Sequence, residues 1–137
     1  MPVFPSSEWI DAFCVELAGH PRAPAAAATL GGVYRFVIDP GGPLGDRHTY
    51  AVLLGVDGDA AVAAPVAADE PSRVTVRTDY RRWRQLLEGK LDLGPAMLLG
   101  RLRISGDMAA LLNARGDVDV VVDALRGVDT MWLDAAV

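Results

Sequence analysis

The part of the chain that decides the fold comprises residues 89–108 and reads GKLDLGPAMLLGRLRISGDM. Pro95 stands ahead of the apolar run 96–99, and proline is favoured in the first turn of a helix, so a short helix is predicted here. Residues 101–105 alternate between polar and apolar side chains, which predicts a strand. Asp107 then predicts the N-cap of a further helix.

Before this segment, four stretches of alternating apolar and polar residues predict four strands. They cover residues 33–39, 49–56, 59–64 and 73–77. The dipeptide Asp57-Gly58 predicts a tight hairpin between the second and third strands. After the fourth strand, Thr78 or Asp79 is expected to cap a helix. The apolar stripe of that helix comprises Tyr80, Trp83, Leu86 and Leu87.

Helical periodicity also marks both ends of the chain. Near the N-terminus the stripe comprises Ile10, Phe13, Cys14 and Leu17. Residues 21–32 are rich in Ala and Pro, show no period, and are interpreted as a connector. Beyond residue 108 a helix is predicted, interrupted at Gly116 and resumed from Val118 to Leu125. The order of helix, four strands, two helices, strand and two helices predicts an α+β domain with a mostly antiparallel sheet.

Composition narrows the function classes. The 137 residues predict a single domain over 1–137, and the net charge of −5 argues against a nucleic-acid partner. One cysteine excludes an internal disulfide, and with only two histidines no metal site and no cofactor are predicted. No apolar run is long enough to span a bilayer and the N-terminus has no signal-peptide pattern, so a cytoplasmic protein without stable membrane insertion is expected.

Residues 89–108 closely resemble the signature region of the sterol carrier protein 2 (SCP2) family. That region has a G-K-apolar turn, a short helix with a fixed Ala, and the run G-K/R-L-K/R-I-S/T-G-N/D-M. The resemblance extends over about 30–112, while the tail 126–137 matches no pattern. It implies an SCP2-like fold: five strands, helices over one face, and an apolar tunnel between them. Leu99 departs from the family, where many members have Gln.

The resemblance implies non-enzymatic binding or transfer of a sterol, a fatty acid or an acyl-CoA in this tunnel. The residues expected to line it are Phe13, Tyr34, Phe36, Trp83, Met97, Leu99, Leu102, Ile104, Met108 and Leu112. Each of them can equally pack in a solid core. An empty cavity of ~300 Å³ would cost ~7 kcal/mol at ~24 cal/mol per Å³. The tunnel is therefore expected to be small, collapsed or occupied. With Leu99 in place of an amide, we expect ligands whose polar end stays in solvent.

Arginines are expected to mark the outer face of the sheet. Arg73, Arg77, Arg101 and Arg103 fall at positions opposite the apolar ones in the last two predicted strands. They are candidates for weak contact with an anion such as a lipid head group or the phosphates of coenzyme A. The alternative is an ordinary solvated face, on which long side chains cover the sheet.

Two other function classes stay open at this point. SCP2-like domains also occur as accessory, often dimer-forming, modules of larger enzymes such as acetyltransferases and alkyl sulfatases. In that case Trp132 is a candidate interface anchor, and a homodimer is left open. An enzyme that holds a hydrophobic substrate is the third class, but no catalytic residue is predicted. His20 and His48 lie in loops without an assignable Ser or Cys partner.

Overall fold

The computed structural model describes residues 1–133. Its elements in chain order are β1 (Val3–Phe4), α1 (Ser7–Gly19), α2 (Ala23–Leu30), β2 (Gly32–Asp39), β3 (His48–Asp57), β4 (Ala60–Val66), β5 (Val74–Asp79), α3 (Tyr80–Leu87), α4 (Leu93–Leu98), β6 (Arg103–Gly106), α5 (Met108–Asn113), α6 (Arg115–Gly127) and β7 (Met131–Trp132). Five strands form the main sheet in the order β4-β3-β2-β5-β6, in which β2 and β5 run parallel and the other neighbours antiparallel. The predicted α+β fold with a mostly antiparallel five-stranded sheet is confirmed.

The register of the central strands separates two faces of the sheet, because successive side chains point to opposite sides. Phe36 pairs with Val76, and Val76 with Ile104, so these three share one face. We call it the inner face, since Phe36 packs there against the rings of Phe13 in α1 and Trp83 in α3, with centroid distances of 5.7 and 5.6 Å. The helices therefore bury the apolar side of an alternating sequence.

The predicted stripes of α1 and α3 are buried in the core, as expected from their spacing. Asp79 caps α3, since its carboxylate accepts a hydrogen bond from the Arg82 backbone N–H at 3.0 Å. The hairpin at Asp57 is also confirmed, because Asp57 pairs with Ala60 across a two-residue turn. Local signals of capping, periodicity and turn chemistry were sufficient for these elements.

The connector predicted for residues 21–32 is wrong, because residues 23–30 form the helix α2. Its buried residues are Ala23, Ala26, Ala27 and Leu30, which is helical spacing. Alanine has the highest helix propensity. In a segment where nearly every residue is Ala, however, the buried and exposed faces have the same side chain, and so the period cannot be seen in the sequence.

Two predicted boundaries shift. The fifth strand of the sheet begins at Arg103 rather than Arg101, because the chain before it closes α4. The Arg101 carbonyl is nonetheless held, since it accepts a hydrogen bond from the Thr78 hydroxyl at 2.8 Å. The predicted interruption at Gly116 falls at Ala114 instead, and Gly116 lies inside α6.

Glycine is required at two positions of the signature segment. Gly100 has φ +70° and ends α4 in a Schellman motif: the Arg101 N–H donates to the Ala96 carbonyl at 2.9 Å, and the Gly100 N–H to the Met97 carbonyl at 3.2 Å. Gly106 has φ +111°, and a Cβ built there would lie 2.2 Å from the Arg73 carbonyl oxygen. The first glycine turns α4 toward the sheet, and the second lets β6 approach the residue before β5.

The tail contains an element that the sequence did not indicate. Trp132 lies in β7, which pairs in parallel with β1, and its ring packs against Phe4 and Tyr80 at centroid distances of 5.8 and 6.4 Å. The Arg84 guanidinium lies over the same ring at 4.9 Å. Trp132 thus packs against its own chain and stays half-buried, and its role as an interface anchor stays a prediction. The remainder of the tail, residues 134–137, lies outside the described residues.

Candidate functional site

An apolar cleft lies between the inner face of the sheet and the helices α2 to α6. It is lined by Leu30, Tyr34, Phe36, Val74, Val76, Trp83, Leu86, Leu93, Ile104, Leu111, Val118, Val121, Val122 and Leu125. The void inside it is about 50 Å³. Binding sites for small molecules usually measure ~300–1,000 Å³. The cleft is therefore nearly closed, and the cost of a large empty cavity is avoided.

The two polar groups on the walls of the cleft are already hydrogen-bonded to backbone. The Tyr34 hydroxyl donates to the Leu30 carbonyl, and the Trp83 indole N–H donates to the Val37 carbonyl at 2.9 Å. Burial raises the pKa of the Tyr34 phenol, and although the nearby Arg73 lowers it, the net direction is upward, so the hydroxyl stays neutral. The cleft consequently offers a dry surface with no free donor for a polar group.

The walls of the cleft differ in how firmly they are held. Trp83 and Leu86 of α3 are each 1% exposed. At its C-terminal end α6 is also anchored, because the Arg126 guanidinium donates to the carbonyls of Leu86 and Leu91 at 3.0 and 3.1 Å. By contrast, α5 contributes no buried residue, and the cleft-lining valines of the first half of α6 are only half-buried. The wall formed by α5 and the start of α6 is the looser one.

A second, smaller void of about 10 Å³ continues the cleft toward α1. It is lined by Phe13, Leu17, Tyr34, Phe36, Val52, Leu54 and Val121. Tyr34, Phe36 and Val121 belong to both linings, so these side chains form a partition between the two voids.

Four of the ten predicted lining residues come together in the cleft: Tyr34, Phe36, Trp83 and Ile104. Phe13 lines the adjoining void. Their common feature is that each lies on a confirmed element, on the side that the alternation or the helical stripe marked as apolar. Whether they contact a ligand stays a prediction.

The other five predicted residues are not part of this lining. Met97 and Met108 are half-buried outside it, and Leu102 is buried in the hydrophobic core, where it also borders a polar cleft. Leu99 is 66% exposed at the C-cap of α4, and Leu112 is 54% exposed on α5. In α5 it is Leu111 that lines the cleft, because one residue along a helix rotates a side chain by about 100°.

Sequence reasoning missed ten lining residues: Leu30, Val74, Val76, Leu86, Leu93, Leu111, Val118, Val121, Val122 and Leu125. Periodicity carried a signal for most of them. Val74 and Val76 share strand parity, and the α6 residues were recognised at helical spacing. The position of α6 over the sheet depends on tertiary packing, which has no local signature in the sequence.

The predicted arginine set divides into two places. Arg77, Arg101 and Arg103 line an open polar cleft of about 380 Å³, together with Arg82 and the carboxylates of Asp39 and Asp79. This arginine cleft lies at the end of β5 and the start of β6, where Arg77 pairs with Arg103. Arg77 and Arg103 therefore lie on the face opposite the inner face. Arg73 lies apart from them, at the other end of this strand pair.

Two of these arginines, Arg77 and Arg73, form ion pairs with aspartates. Asp39 accepts hydrogen bonds from Arg77 at 2.8 Å and from Arg47 at 2.7 Å. Partial burial raises the pKa of the Asp39 carboxyl, but the bonds from both arginines outweigh it and hold the pKa below its ordinary value. Arg73 instead pairs with Asp107 at 3.2 Å and donates to the Gly31 carbonyl at 2.8 Å. Arg73 is thus a structural link between β5, α5 and the end of α2.

The remaining nucleophilic and titratable candidates belong to the packing of the helices. Cys14 is buried in α1, and desolvation followed by the charge of Asp11 raises its pKa to about 11, which leaves the thiol protonated. His20 Nε2 lies 3.3 Å from the Asp123 carboxylate and its Nδ1 accepts from the Arg22 backbone N–H, which joins the end of α1 to α6. Among residues 1–133 no group of three or more His, Cys, Asp or Glu side chains is placed to hold a metal ion.

Comparison with known proteins gives one consistent result. Residues 15–119 match the model of the SCP-2 sterol transfer family. A conserved hypothetical protein from Thermus thermophilus has 25% identity and a TM-score of 0.71, with 92% of this chain and 90% of that chain covered. A crystal structure of sterol carrier protein 2 has 26% identity and a TM-score of 0.70, with 88% and 95% covered.

More distant structures share the fold. The sterol carrier protein domain 2 of Helicoverpa armigera has 17% identity and a TM-score of 0.62, with 90% of this chain and 91% of that chain covered. A comparison with curated proteins found no match. Within residues 1–133, none of the helices combines the length and apolar character needed to cross a membrane.

Proposed function

The chain belongs to the SCP-2 sterol transfer family, and from this premise we propose that its apolar cleft binds a hydrophobic small molecule and carries it without chemical change. The ligand class is a sterol, a fatty acid or an acyl-CoA. The observation that carries the proposal is the cleft itself: fourteen side chains from eight elements converge on it, and its two polar groups are bonded to backbone. An apolar ligand that enters the cleft therefore leaves no polar group of the walls without a hydrogen bond.

The near closure of the cleft implies that a ligand must open it. A chain of ~16 methylenes gains ~0.8 kcal/mol for each buried group, or ~13 kcal/mol in total. Association takes back ~4–15 kcal/mol, and separating two packed walls adds to that cost. We expect α5 and the first turn of α6 to move, since α5 has no buried residue, whereas Val120 is 1% exposed and the Arg126 hydrogen bonds hold the C-terminal end of α6. We therefore expect the cleft to bind several hydrophobic ligands, each with micromolar affinity.

The lining also favours a particular orientation of the ligand. No free donor or acceptor faces the void, and a buried polar group without a partner costs ~1–3 kcal/mol. The carboxyl, hydroxyl or coenzyme A end is therefore expected to stay in solvent while the apolar part occupies the cleft. This extends the expectation drawn from Leu99, although Leu99 itself lies outside the lining.

Ligand binding is tested by titration with a fluorescent fatty acid, followed by displacement with unlabelled fatty acid, acyl-CoA and sterol. Saturable binding with displacement is expected. The blocking variant is Val118→Trp, because Val118 is half-buried on the looser wall and a larger side chain there fills the void. We expect its affinity to fall at least about tenfold, which is about 1.4 kcal/mol.

The matched control for Val118→Trp is Val15→Trp, which makes the same change on an exposed helix position outside the cleft. It should bind the fatty acid as the wild type does. Thermal midpoints of both variants separate blocked binding from loss of the fold. Absence of saturable binding for all three ligand types, or equal loss in both folded variants, would rule out the cleft as the carrier site.

The proposal includes three further points. The chain is proposed to work as one domain over residues 1–137, to act in the cytoplasm, and to do so without a nucleic-acid partner, in line with its net charge of −5. Size-exclusion chromatography with light scattering distinguishes a monomer from the homodimer that the sequence left open. A gel shift with duplex DNA at low salt tests the third point, with no retardation expected.

A further inference from the structure

Two leucines at the end of α4 lack apolar cover. Leu98 is 86% exposed, the highest value among the large apolar side chains of residues 1–133, and Leu99 beside it is 66% exposed. Their positions are not those of a fraying end. The Schellman motif at Gly100 holds this turn, and the Leu99 N–H donates to the Pro95 carbonyl at 3.0 Å. The backbone therefore presents both leucines to solvent.

The arginine cleft begins one residue further along the chain, at Gly100. Arg101 and Arg103 are exposed, and within the described part of the chain neither side chain has an ion-pair partner. The carboxylates of the cleft are already engaged. Asp39 holds Arg77 and Arg47, and Asp79 caps α3. Two guanidinium groups, two and four residues beyond Leu99 in the chain, are thus free for an external anion.

We propose that Leu98, Leu99 and the arginine cleft form a docking surface for an anionic lipid bilayer. The leucines would enter the boundary between head groups and acyl chains, while Arg101 and Arg103 bind phosphate or carboxylate groups of the lipids. A soluble anion would occupy the arginines and leave both leucines in water. A bilayer with anionic head groups offers partners to both parts of the surface at once.

The net charge of −5 does not oppose this contact, because exposed charges beyond ~8–10 Å are screened at physiological salt. Within the cleft, four arginines face two aspartates. Each cation near an anionic leaflet is worth ~1 kcal/mol, so the local excess is sufficient for reversible association. It does not anchor the protein permanently, which agrees with the lack of a membrane-spanning helix within residues 1–133.

The helix α4 connects the docking surface to the apolar cleft. Leu93 at the start of the helix lines the apolar cleft, and Leu98 ends the same helix five residues later. At ~1.5 Å per residue the two are ~8 Å apart along the axis. A bilayer at the leucines is therefore next to the cleft. Vesicle binding can be measured without any ligand in the cleft, so this inference stands or fails independently of the proposed function.

The test is co-sedimentation of the full chain with phosphatidylcholine vesicles, with and without phosphatidylserine at about one part in three. Binding is expected only with phosphatidylserine. The double variant Leu98→Gln/Leu99→Gln should lower the partition coefficient about tenfold or more. The double variant Arg101→Gln/Arg103→Gln should lower the partition coefficient about thirtyfold, because each lost charge is worth ~1 kcal/mol, or about fivefold. This loss should shrink at high salt.

Matched controls are Val15→Gln for an exposed apolar side chain and Arg115→Gln for an exposed arginine, both outside the docking surface. They should bind vesicles as the wild type does. Leu98→Gln should also keep its affinity for the fluorescent fatty acid in the absence of vesicles. Thermal midpoints confirm that each variant is folded.

Three results would overturn the docking surface: equal binding to vesicles with and without phosphatidylserine, equal losses in the controls, or a loss in the arginine variant alone. The last result would assign the cleft to soluble anions, and binding of inorganic phosphate would then identify that source. Fatty acid binding that fails while vesicle binding persists would refute the proposed function and leave the docking surface in place.

Discussion

The helices α3 and α5 begin in the same way and are packed very differently. Each has an aspartate N-cap that accepts from the backbone N–H three residues on, Asp79 from Arg82 at 3.0 Å and Asp107 from Ala110 at 3.1 Å. Four residues of α3 are then buried, whereas α5 has none. Both helices contribute to the wall of the apolar cleft.

The difference shows that a cap starts a helix but burial determines how firmly it is held. A six-residue helix has little stability of its own, since isolated helices shorter than ~12–15 residues are marginal in water. The cap and the Arg73–Asp107 ion pair hold the first turn of α5, and the rest of the helix contributes the half-buried Leu111 to the cleft. One wall of the cleft is thus part of the core, and we expect the facing wall to separate from it at lower cost.

The largest expected effect comes from truncating a side chain in each wall. Trp83→Ala should lower the free energy of unfolding by about 3–5 kcal/mol, because it leaves a cavity in the core and removes the indole bond to Val37. Leu111→Ala should lower it by about 1 kcal/mol, since Leu111 is only half-buried. Urea denaturation measures both.

If Trp83→Ala fails to fold, Leu86→Ala replaces it, with an expected loss of about 2–5 kcal/mol. Similar losses for the α3 and α5 variants would break the comparison, because they would mean that α5 is part of the cooperative core.

A smaller effect is expected in native-state hydrogen exchange. Amides of α5 should exchange about a hundredfold faster than those of α3, which corresponds to local opening that costs about 3 kcal/mol less. Saturating fatty acid should slow exchange in α5 and leave α3 unchanged, because the bound chain fills the space between the two walls. Equal protection of both helices in the free protein would contradict a movable wall.

The smallest effect is a response to acid. The hydrogen bond from the Ala110 N–H, and then that from Arg73, hold the pKa of Asp107 below its ordinary value. The cap therefore stabilises α5 above about pH 4, and this stabilisation is lost as the pH falls through the lower folded pKa. Asp107→Asn keeps a capping side chain without the titrating charge. Between about pH 5 and pH 3, the range in which Asp titrates, the α5 exchange rates of this variant should change less than those of the wild type. An identical change in both proteins would show that the charge of Asp107 does not cause the acid response.

Sequence was sufficient where one residue type marks one face. Alternation placed Tyr34, Phe36 and Ile104 on the inner face, and the stripe of α3 placed Trp83 against them. Periodicity did not predict α2, because the buried and exposed residues of this helix are nearly all alanine. The pairing of β1 with β7 was also invisible, since it joins strands of two residues from opposite ends of the chain.

The candidate site was predicted in part for a related reason. Met97 and Leu99 were predicted as apolar residues of the signature segment and Leu112 as one of the helix that follows it, yet their orientation depends on where each short helix begins and ends. A shift of one residue separates Leu111 in the cleft from the exposed Leu112. Short helices without a long stripe leave this rotation undetermined in the sequence.

The burial of Cys14 also makes the protein convenient for spectroscopy. Its thiol is enclosed in α1, has a pKa raised to about 11, and is the only one in the chain. A cysteine introduced by Leu112→Cys would therefore be the single reactive site for a maleimide probe or a nitroxide label. The fluorescence or mobility of that single label then reports on the movement of α5 as lipid enters and leaves.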